Sequence, residues 1–280
     1  MEYPALKKTG SQAANLAVPS LVFVFAALGF SSSRACTDVK AAISLGAART
    51  ESRWTEVDIA GRTIDRESGS LPGQQLGGAI ECGDWSASGQ LSHFDGTRAY
   101  SGQTSIGVPV QTQSSIRQTQ GYAQLGRKVR GALFVGGRLA GQKLTRDIAS
   151  AGGASGYPEE FTRTVVSLGT QWNTPSAWEE LTLSAWVGTA IHQSLRLTLP
   201  GRDPAKLPLG RLTQWELGAQ WRKPLLRHWH LLASVKYIST SVRAGDNAVI
   251  SRHGIPSGVA HQPRTNTVEV PVTVGIGYEF

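Results

Sequence analysis

The chain has 280 residues, carries 28 Lys+Arg against 20 Asp+Glu for a net charge of +8, and contains 32 glycines and two cysteines. That many glycines with a modest apolar fraction sit poorly in a single soluble core and suit a wall built from small residues. The basic balance permits anionic partners without naming one. Cysteine clusters, glycine-rich phosphate loops and basic nucleic-acid motifs are absent, so no cofactor, metal or nucleic acid is expected.

Lys7 and Lys8 precede an apolar run from Leu16 to Phe30, and Ser33 and Ala35 occupy the −3 and −1 positions of a cut before Cys36. A basic start, an apolar core and a small-x-small site define a secretory signal peptide over 1–35, leaving 36–280 as one domain. The apolar run contains Pro19 and is short for a spanning helix, and no later stretch reaches about 18 consecutive apolar residues. Arg34 stands where a lipid-modified cysteine wants a small residue. Removal of the leader takes away Glu2, Lys7, Lys8 and Arg34 and leaves the mature chain basic.

Ten strand-like segments follow, joined alternately by short and long connections. The first spans Thr50 to Asp65, with Val57 and Ile59 opposite Glu56 and Asp58. The second, Gln74 to Cys82, ends in the tight turn Gly83-Asp84-Trp85 and leads to the third, Ser86 to Phe94. After a long loop comes the fourth, Ser115 to Gly126, which GRKVRG turns into the fifth, Ala132 to Thr145. The sixth runs from Phe161 to Trp172 and turns at NTPSAW into the seventh, Glu180 to His192. The eighth, Arg211 to Arg222, turns at KPLLR into the ninth, His228 to Val242.

In the closing segment, Val268, Val270, Val272, Val274, Ile276, Tyr278 and Phe280 share one parity, against Glu269, Pro271, Thr273, Gly275, Gly277 and Glu279 on the other. A strand places alternate side chains on opposite faces, and about 9–11 tilted residues cross a bilayer. This terminal Phe behind alternating apolar residues resembles the last strand of Gram-negative outer-membrane β-barrels. The resemblance is to an architecture and spans the whole chain. It implies an all-β, antiparallel up-and-down transmembrane barrel of about ten strands in the bacterial outer membrane. Twelve is the alternative, should the 102–114 segment hide a hairpin. It also implies outer-membrane lipid, lipopolysaccharide and the assembly machinery that reads the last strand as partners.

In that architecture short turns are periplasmic and long loops extracellular. Trp54, Trp85, Trp172, Trp178, Trp221 and Trp229 then fall at the periplasmic ends of strands, with Tyr278 and Phe280. That is the headgroup level which amphipathic rings prefer.

The inward parity carries Glu56, Asp58, Arg62, Glu81, Arg138, Gln142, Arg163, Gln171, Glu180, Glu216, Gln220, Lys236 and Glu269. In so narrow a barrel opposite charges should pair into a plug, with Arg138 and Arg163 meeting acids from Glu56, Asp58, Glu180 and Glu216. The other reading is a narrow permeation path lined by the same residues. Cys36 and Cys82, an even pair in an oxidising compartment, are expected to form a disulfide on the periplasmic side.

Catalytic constellations are weak. His192-Gln193-Ser194 resembles the His-x-Ser of barrel lipid A deacylases and outer-membrane phospholipases, but no acid is placed to orient the histidine and parity directs both side chains inward. Omptin proteases, also ten-stranded, use an Asp–His pair at the barrel mouth. Asp-x-His is absent here, and Glu56 and Asp58 fall in the periplasmic half of the first predicted strand. His228 and His230 share a strand face beside Trp229, which suits interfacial histidines without a metal. What stands out is the last two long loops, with Arg196, Arg202, Lys206, Arg211, Arg243, Arg252 and Arg264 against Asp203 and Asp246. The expectation is a non-enzymatic structural or surface-binding barrel. Polyanions such as lipopolysaccharide phosphates would be held by Arg202, Lys206, Arg243 and Arg252. A narrow solute channel is second, and a barrel-embedded hydrolase or protease trails both.

Overall fold

The computed structural model describes residues 39–104, 107–174 and 179–280. The expected signal peptide, Cys36 and Trp178 lie outside the described residues. The described residues form thirteen strands: β1 (Val39–Val57), β2 (Thr63–Cys82), β3 (Trp85–Gln103), β4 (Pro109–Arg130), β5 (Leu133–Ile148), β6 (Tyr157–Thr174), β7 (Glu180–Leu197), β8 (Ala205–Leu207), β9 (Leu212–Pro224), β10 (Trp229–Val242), β11 (Ala248–Arg252), β12 (Ile255–Ala260) and β13 (Arg264–Glu279).

Ten of them, β1 to β7 with β9, β10 and β13, form a closed antiparallel up-and-down barrel. Each pairs with its neighbour along the chain, and the first strand closes on the last, from Ala42 opposite Glu279 to Val57 opposite Arg264. Closure removes the unpaired edges that an open sheet would leave. The extra strands lie at the loop end. β8 adds to β7 through Leu195, Arg196 and Leu197, and β11 pairs with β12 as a separate hairpin.

One end of the barrel has tight turns. Cys82 pairs with Trp85 across Gly83-Asp84, and the β4–β5 turn passes through Gly131; both glycines adopt positive φ, 58° and 55°. The opposite end carries the long β7–β9 and β10–β13 connections. The pleat sorts side chains as the closing segment requires. Val272, Val274 and Ile276 are exposed on the outside, while Glu269 and Thr273 are buried within.

The same alternation runs around the wall and makes a continuous apolar belt. Ile43 and Leu45 on β1, Leu76 and Ile80 on β2, Leu125 on β4, Val135 and Leu139 on β5, Leu168 on β6, Val187 on β7 and Leu217 on β9 are all exposed outward. Below it, at the turn end, Trp85, Trp172, Trp229 and Phe280 are exposed, and Tyr278 meets Trp229 and Phe280 edge-on at 5.1 and 5.0 Å. Trp221 donates its indole N–H to Glu179 at 3.0 Å in the same zone. Higher on the wall, Trp215 and Tyr237 stack at 5.0 Å and mark the other edge of the belt.

β9 and β10 keep their expected loop ends to within one residue, at Leu212 and Val242, but β2 to β7 and β13 run further at that end than expected, well beyond the belt. There the outer face is charged, with Arg49 beside Glu51, Arg117 beside Asp95 and Lys143 beside Glu160. Inside, next to these charges, lie Ile116, Phe94, Leu144 and Phe161, so the alternation inverts to polar outside and apolar inside. Beyond them the inner face is charged as well, at Glu67, Arg98, Arg146 and Glu159. The largest correction concerns the first segment. Thr50 to Asp65 is not one strand but the end of β1, a tight turn at Asp58–Arg62 and the start of β2. β1 begins at Val39, in an alanine-rich stretch, so Glu56 and Trp54 stand at the loop end rather than the turn end. Trp54 is buried inside, edge-on to Phe161 at 5.2 Å, and is no part of the outer aromatic girdle.

Candidate functional site

The lumen is filled in layers. At the turn end, Arg222 pairs with Glu279 and lies 3.7 Å from Glu180, and His230 Nε2 sits 3.1 Å from Glu279. Above this rim, Arg138 on β5 donates from Nη1 to Glu216 Oε1 on β9 at 2.9 Å, and from Nε and Nη2 to Gln124 at 3.2 and 3.0 Å. Its guanidinium is sandwiched between the Tyr122 and Trp186 rings at 4.3 and 4.1 Å. Lys236 reaches Glu216 at 3.8 Å and donates to Gln90 at 3.3 Å, and Tyr122 donates to the same Gln90 oxygen at 3.2 Å. Trp186 lies flat against the wall because its register partner is Gly169, where a Cβ would stand 2.5 Å from the indole.

Next comes an apolar layer inside the barrel: Ala48, Trp54, Leu71, Phe94, Ile116 and Leu144, with Phe161 against it. A cavity of about 70 Å³ separates this layer from the Arg138 level, lined by Phe94, Gln142, Arg163, Trp186 and Glu216 among others.

A second charged knot closes the loop end. Arg146 on β5 meets four carboxylates: Asp65 at 2.7 Å, Glu67 at 3.0 Å, Glu56 at 3.3 Å and Glu159 at 3.4 Å. Arg98 lies 3.9 Å from Glu67, and the side chains of both are fully sealed from solvent. Glu56 also accepts from Trp54 Nε1 at 2.9 Å and Gln262 Nε2 at 3.0 Å. An unpaired buried charge is costly, and Arg146 is held by carboxylates on β1, β2 and β6 at once. Arg98, by contrast, has only the 3.9 Å pair with Glu67 and makes no side-chain hydrogen bond among the described residues.

Of the expected lumen charges, Arg138 and Glu216 are brought together and the others go elsewhere. Glu56 faces Arg146 instead of Arg138 or Arg163. Asp58 is not inward at all. It holds the β1–β2 turn, accepting the backbone N–H of Arg62 and of Ala60 and the Arg62 guanidinium at 2.8 Å. Those bonds, the Arg62 backbone bond first, keep its carboxyl below the usual carboxylate range. Glu180 belongs to the rim with Arg222. Arg163 has no ion pair among the described residues; Glu269 shares with it a cavity of about 30 Å³.

Arg146, Arg98, Glu67 and Glu159 escaped the sequence reading because they lie just outside the predicted strands, and Asp65 because it closed a first segment that is in fact parts of two strands. A signal was present. Extending each strand's inward parity beyond its expected end, from Gln75 to Glu67, Phe94 to Arg98, Gln142 to Arg146 and Arg163 to Glu159, lands on the first four, and one more inward step along β2 reaches Asp65.

The His192–Ser194 pair is also corrected. Ile191 has no partner where the β6–β7 register shifts, and this bulge resets the parity. His192 is exposed while Leu195 is fully buried, and Ser194 Oγ bonds Thr162 Oγ1 at 2.8 Å. The two side chains belong to the outer wall, not the lumen.

At the rim the two long loops are laced together. Asp203 accepts the backbone N–H groups of His253 and Gly254 at 3.2 and 2.8 Å, and its own N–H donates to Ser251 O at 2.9 Å. Arg202 donates to Ser257 O at 3.5 Å. Arg202, Lys206 and Arg252 are exposed on this cap. Arg243 is apart from it, at the end of β10 beside Arg211. Cys82 ends β2 opposite Val39, so the chain enters the barrel alongside it, while its expected partner Cys36 lies outside the described residues.

A closed ten-stranded wall with a lipid-height apolar belt, aromatic edges, a polar filled interior and tight turns opposite long loops defines a bacterial outer-membrane β-barrel protein. The turn end is then periplasmic and the loop end extracellular. No protein-family model matches the chain, and no curated protein matches it in sequence. Among solved structures it is similar to the outer-membrane protease OmpT of Escherichia coli, at 12% identity over 90% of this chain and 99% of that one, with a TM-score of 0.51. It also resembles the translocator domain of the autotransporter NalP from Neisseria meningitidis, at 13% identity over 85% and 88% with a TM-score of 0.43. OprG from Pseudomonas aeruginosa matches at 14% identity over 86% and 95%, with a TM-score of 0.39. At such identity the likeness to OmpT is one of fold.

Proposed function

We propose that this protein is a closed-lumen outer-membrane barrel that acts through its extracellular surface, as a structural and polyanion-binding protein. The observation that carries the reading is the blocked interior. Arg138 with Glu216 and Lys236 bars one level, and the sealed Arg146 cluster bars another, with an apolar layer between them. Nothing comparable ties up the cationic cap, whose Arg202, Lys206 and Arg252 stand exposed on loops held together by Asp203. Arginine forks suit phosphate and sulfate geometry. The two acids weighed for a protease site are engaged, Glu56 by Arg146 and Asp58 by Arg62.

Two measurements test this. Barrel refolded into planar bilayers should show no steady conductance; a stable open level would replace the reading with the narrow channel. On heparin, the barrel should be retained at about 0.1 M salt and released towards 1 M, as the Debye length falls from about 10 to 3 Å. Changing Arg202, Lys206 and Arg252 together to Ser should abolish retention. Equal, salt-insensitive retention of both forms would leave the loops merely solvated.

A further inference from the structure

The geometry points to a binding site for the phosphate groups of outer-leaflet lipid on the outer wall, at the extracellular ends of β9, β10 and β13. Val242 is opposite Leu212 on one side and Thr265 on the other. The next step of the register therefore sets Arg243 between Arg211 and Arg264, and Arg243 N–H does donate to Arg211 O at 3.0 Å. All three arginines are exposed, and they line one open groove of about 630 Å³ with His261, Thr213, Ser241 and Asp58.

Like charges directly opposite one another on neighbouring strands are destabilising. Among the described residues no acid offsets these: none of the three arginines has an ion pair or a side-chain hydrogen bond, and Asp58, the one carboxylate in the groove, is taken by Arg62. A row of three unpaired guanidinium groups is a site for an anion with several oxygens.

Its height selects the source. Arg211 shares the outward parity of Thr213, Trp215 and Leu217, and Arg243 that of Ser241 and Tyr237. The row thus stands directly above the Trp215–Tyr237 stack at the edge of the apolar belt. Arg211 is four residues beyond Trp215 and Arg243 six beyond Tyr237, so at ~3.3 Å each, tilted ~40°, the row stands about 10–15 Å higher. From there the long side chains reach back into the headgroup layer, where lipopolysaccharide carries its lipid A phosphates. The cap arginines, by contrast, project from the loops.

The inference rests on the surface-binding reading but uses residues outside the cap variant, so the two fail separately. Refolded barrel in detergent is titrated with bisphosphorylated lipid A, with the same lipid stripped of phosphate, and with inorganic pyrophosphate. The expected result is a preference of about tenfold or more for the phosphorylated lipid, the scale of one charge-assisted hydrogen bond. That preference should collapse in the Arg211→Gln, Arg243→Gln, Arg264→Gln variant and survive in the Arg202, Lys206, Arg252 serine variant. Equal binding of the two lipids, or an undiminished preference in the glutamine variant, overturns the site. Pyrophosphate binding as tightly as the phosphorylated lipid overturns the lipid as its source. A circular dichroism check that the glutamine variant keeps its β signal separates lost binding from lost folding.

Discussion

Arg138 and Glu216 meet at 2.9 Å across the lumen although their strands, β5 and β9, are separated in the wall by β6 and β7. One hydrogen-bonded ion pair therefore ties together two strands that do not touch in the wall, and the Tyr122 and Trp186 rings flank the guanidinium. Removing one partner of so buried a pair leaves an uncompensated charge. Arg138→Ala should cost about 3–5 kcal/mol in guanidinium unfolding from lipid vesicles. Arg163→Ala, which breaks no ion pair among the described residues, should cost clearly less than Arg138→Ala. Equal effects would show that the Glu216 contact is not what stabilises this level.

The extracellular knot is more lopsided, with Arg146 facing four carboxylates. Arg146→Met should leave those acids repelling one another and loosen the ends of β1, β2, β5 and β6. Hydrogen exchange of the segments around Glu56, Asp65 and Glu159 should rise by about a hundredfold or more, the equivalent of about 3 kcal/mol. Glu159→Gln removes one charge and keeps the shape, so its effect should be much smaller. If both variants exchange like the parent, the knot does not brace this end.

Gly169 is the third test. An added methyl would stand 2.5 Å from the Trp186 ring, whereas one at Gly141 meets nothing within 4 Å. Gly169→Ala should destabilise by about 1–3 kcal/mol, because the methyl meets the Ala185 carbonyl oxygen as well as the indole, and both the β7 backbone and the ring over Arg138 must shift. Gly141→Ala should lie within about 0.5 kcal/mol of the parent. Denaturant midpoints of the two variants, compared side by side, decide it.

A disulfide between Cys36 and Cys82 is expected from the register of Val39 opposite Cys82. It would close a loop of about 46 residues, worth about 4 kcal/mol in the chain-entropy model. Oxidised protein should take up no thiol label after denaturation, and reduced protein should take up label at both positions. Labelling of both thiols without reductant would rule the bond out.

The sequence by itself determined the belt. Where lipid lies outside and water or protein inside, the two faces of a strand must differ, so the segments around Leu76, Val135, Val187 and Val272 are legible as alternation. So are the tight turns at Gly83 and Gly131, because positive φ there favours glycine. Above the belt that reason vanishes. The outer face is charged, while the inner one is apolar at Phe94 and Leu144 and then charged, so Arg98, Arg146 and Glu159 read as loop charges in a segment whose outer face no longer meets lipid. Parity across a bulge is equally silent: the unpaired Ile191 decided on which side His192 falls. Only the closed barrel settled which charges meet, because Arg138 with Glu216 and Arg146 with Glu56 pair across a lumen whose width and register belong to the whole wall. The arginine row at Arg211, Arg243 and Arg264 has the same origin. Its members are scattered along the chain and become neighbours only when the register of β9, β10 and β13 lines up their ends.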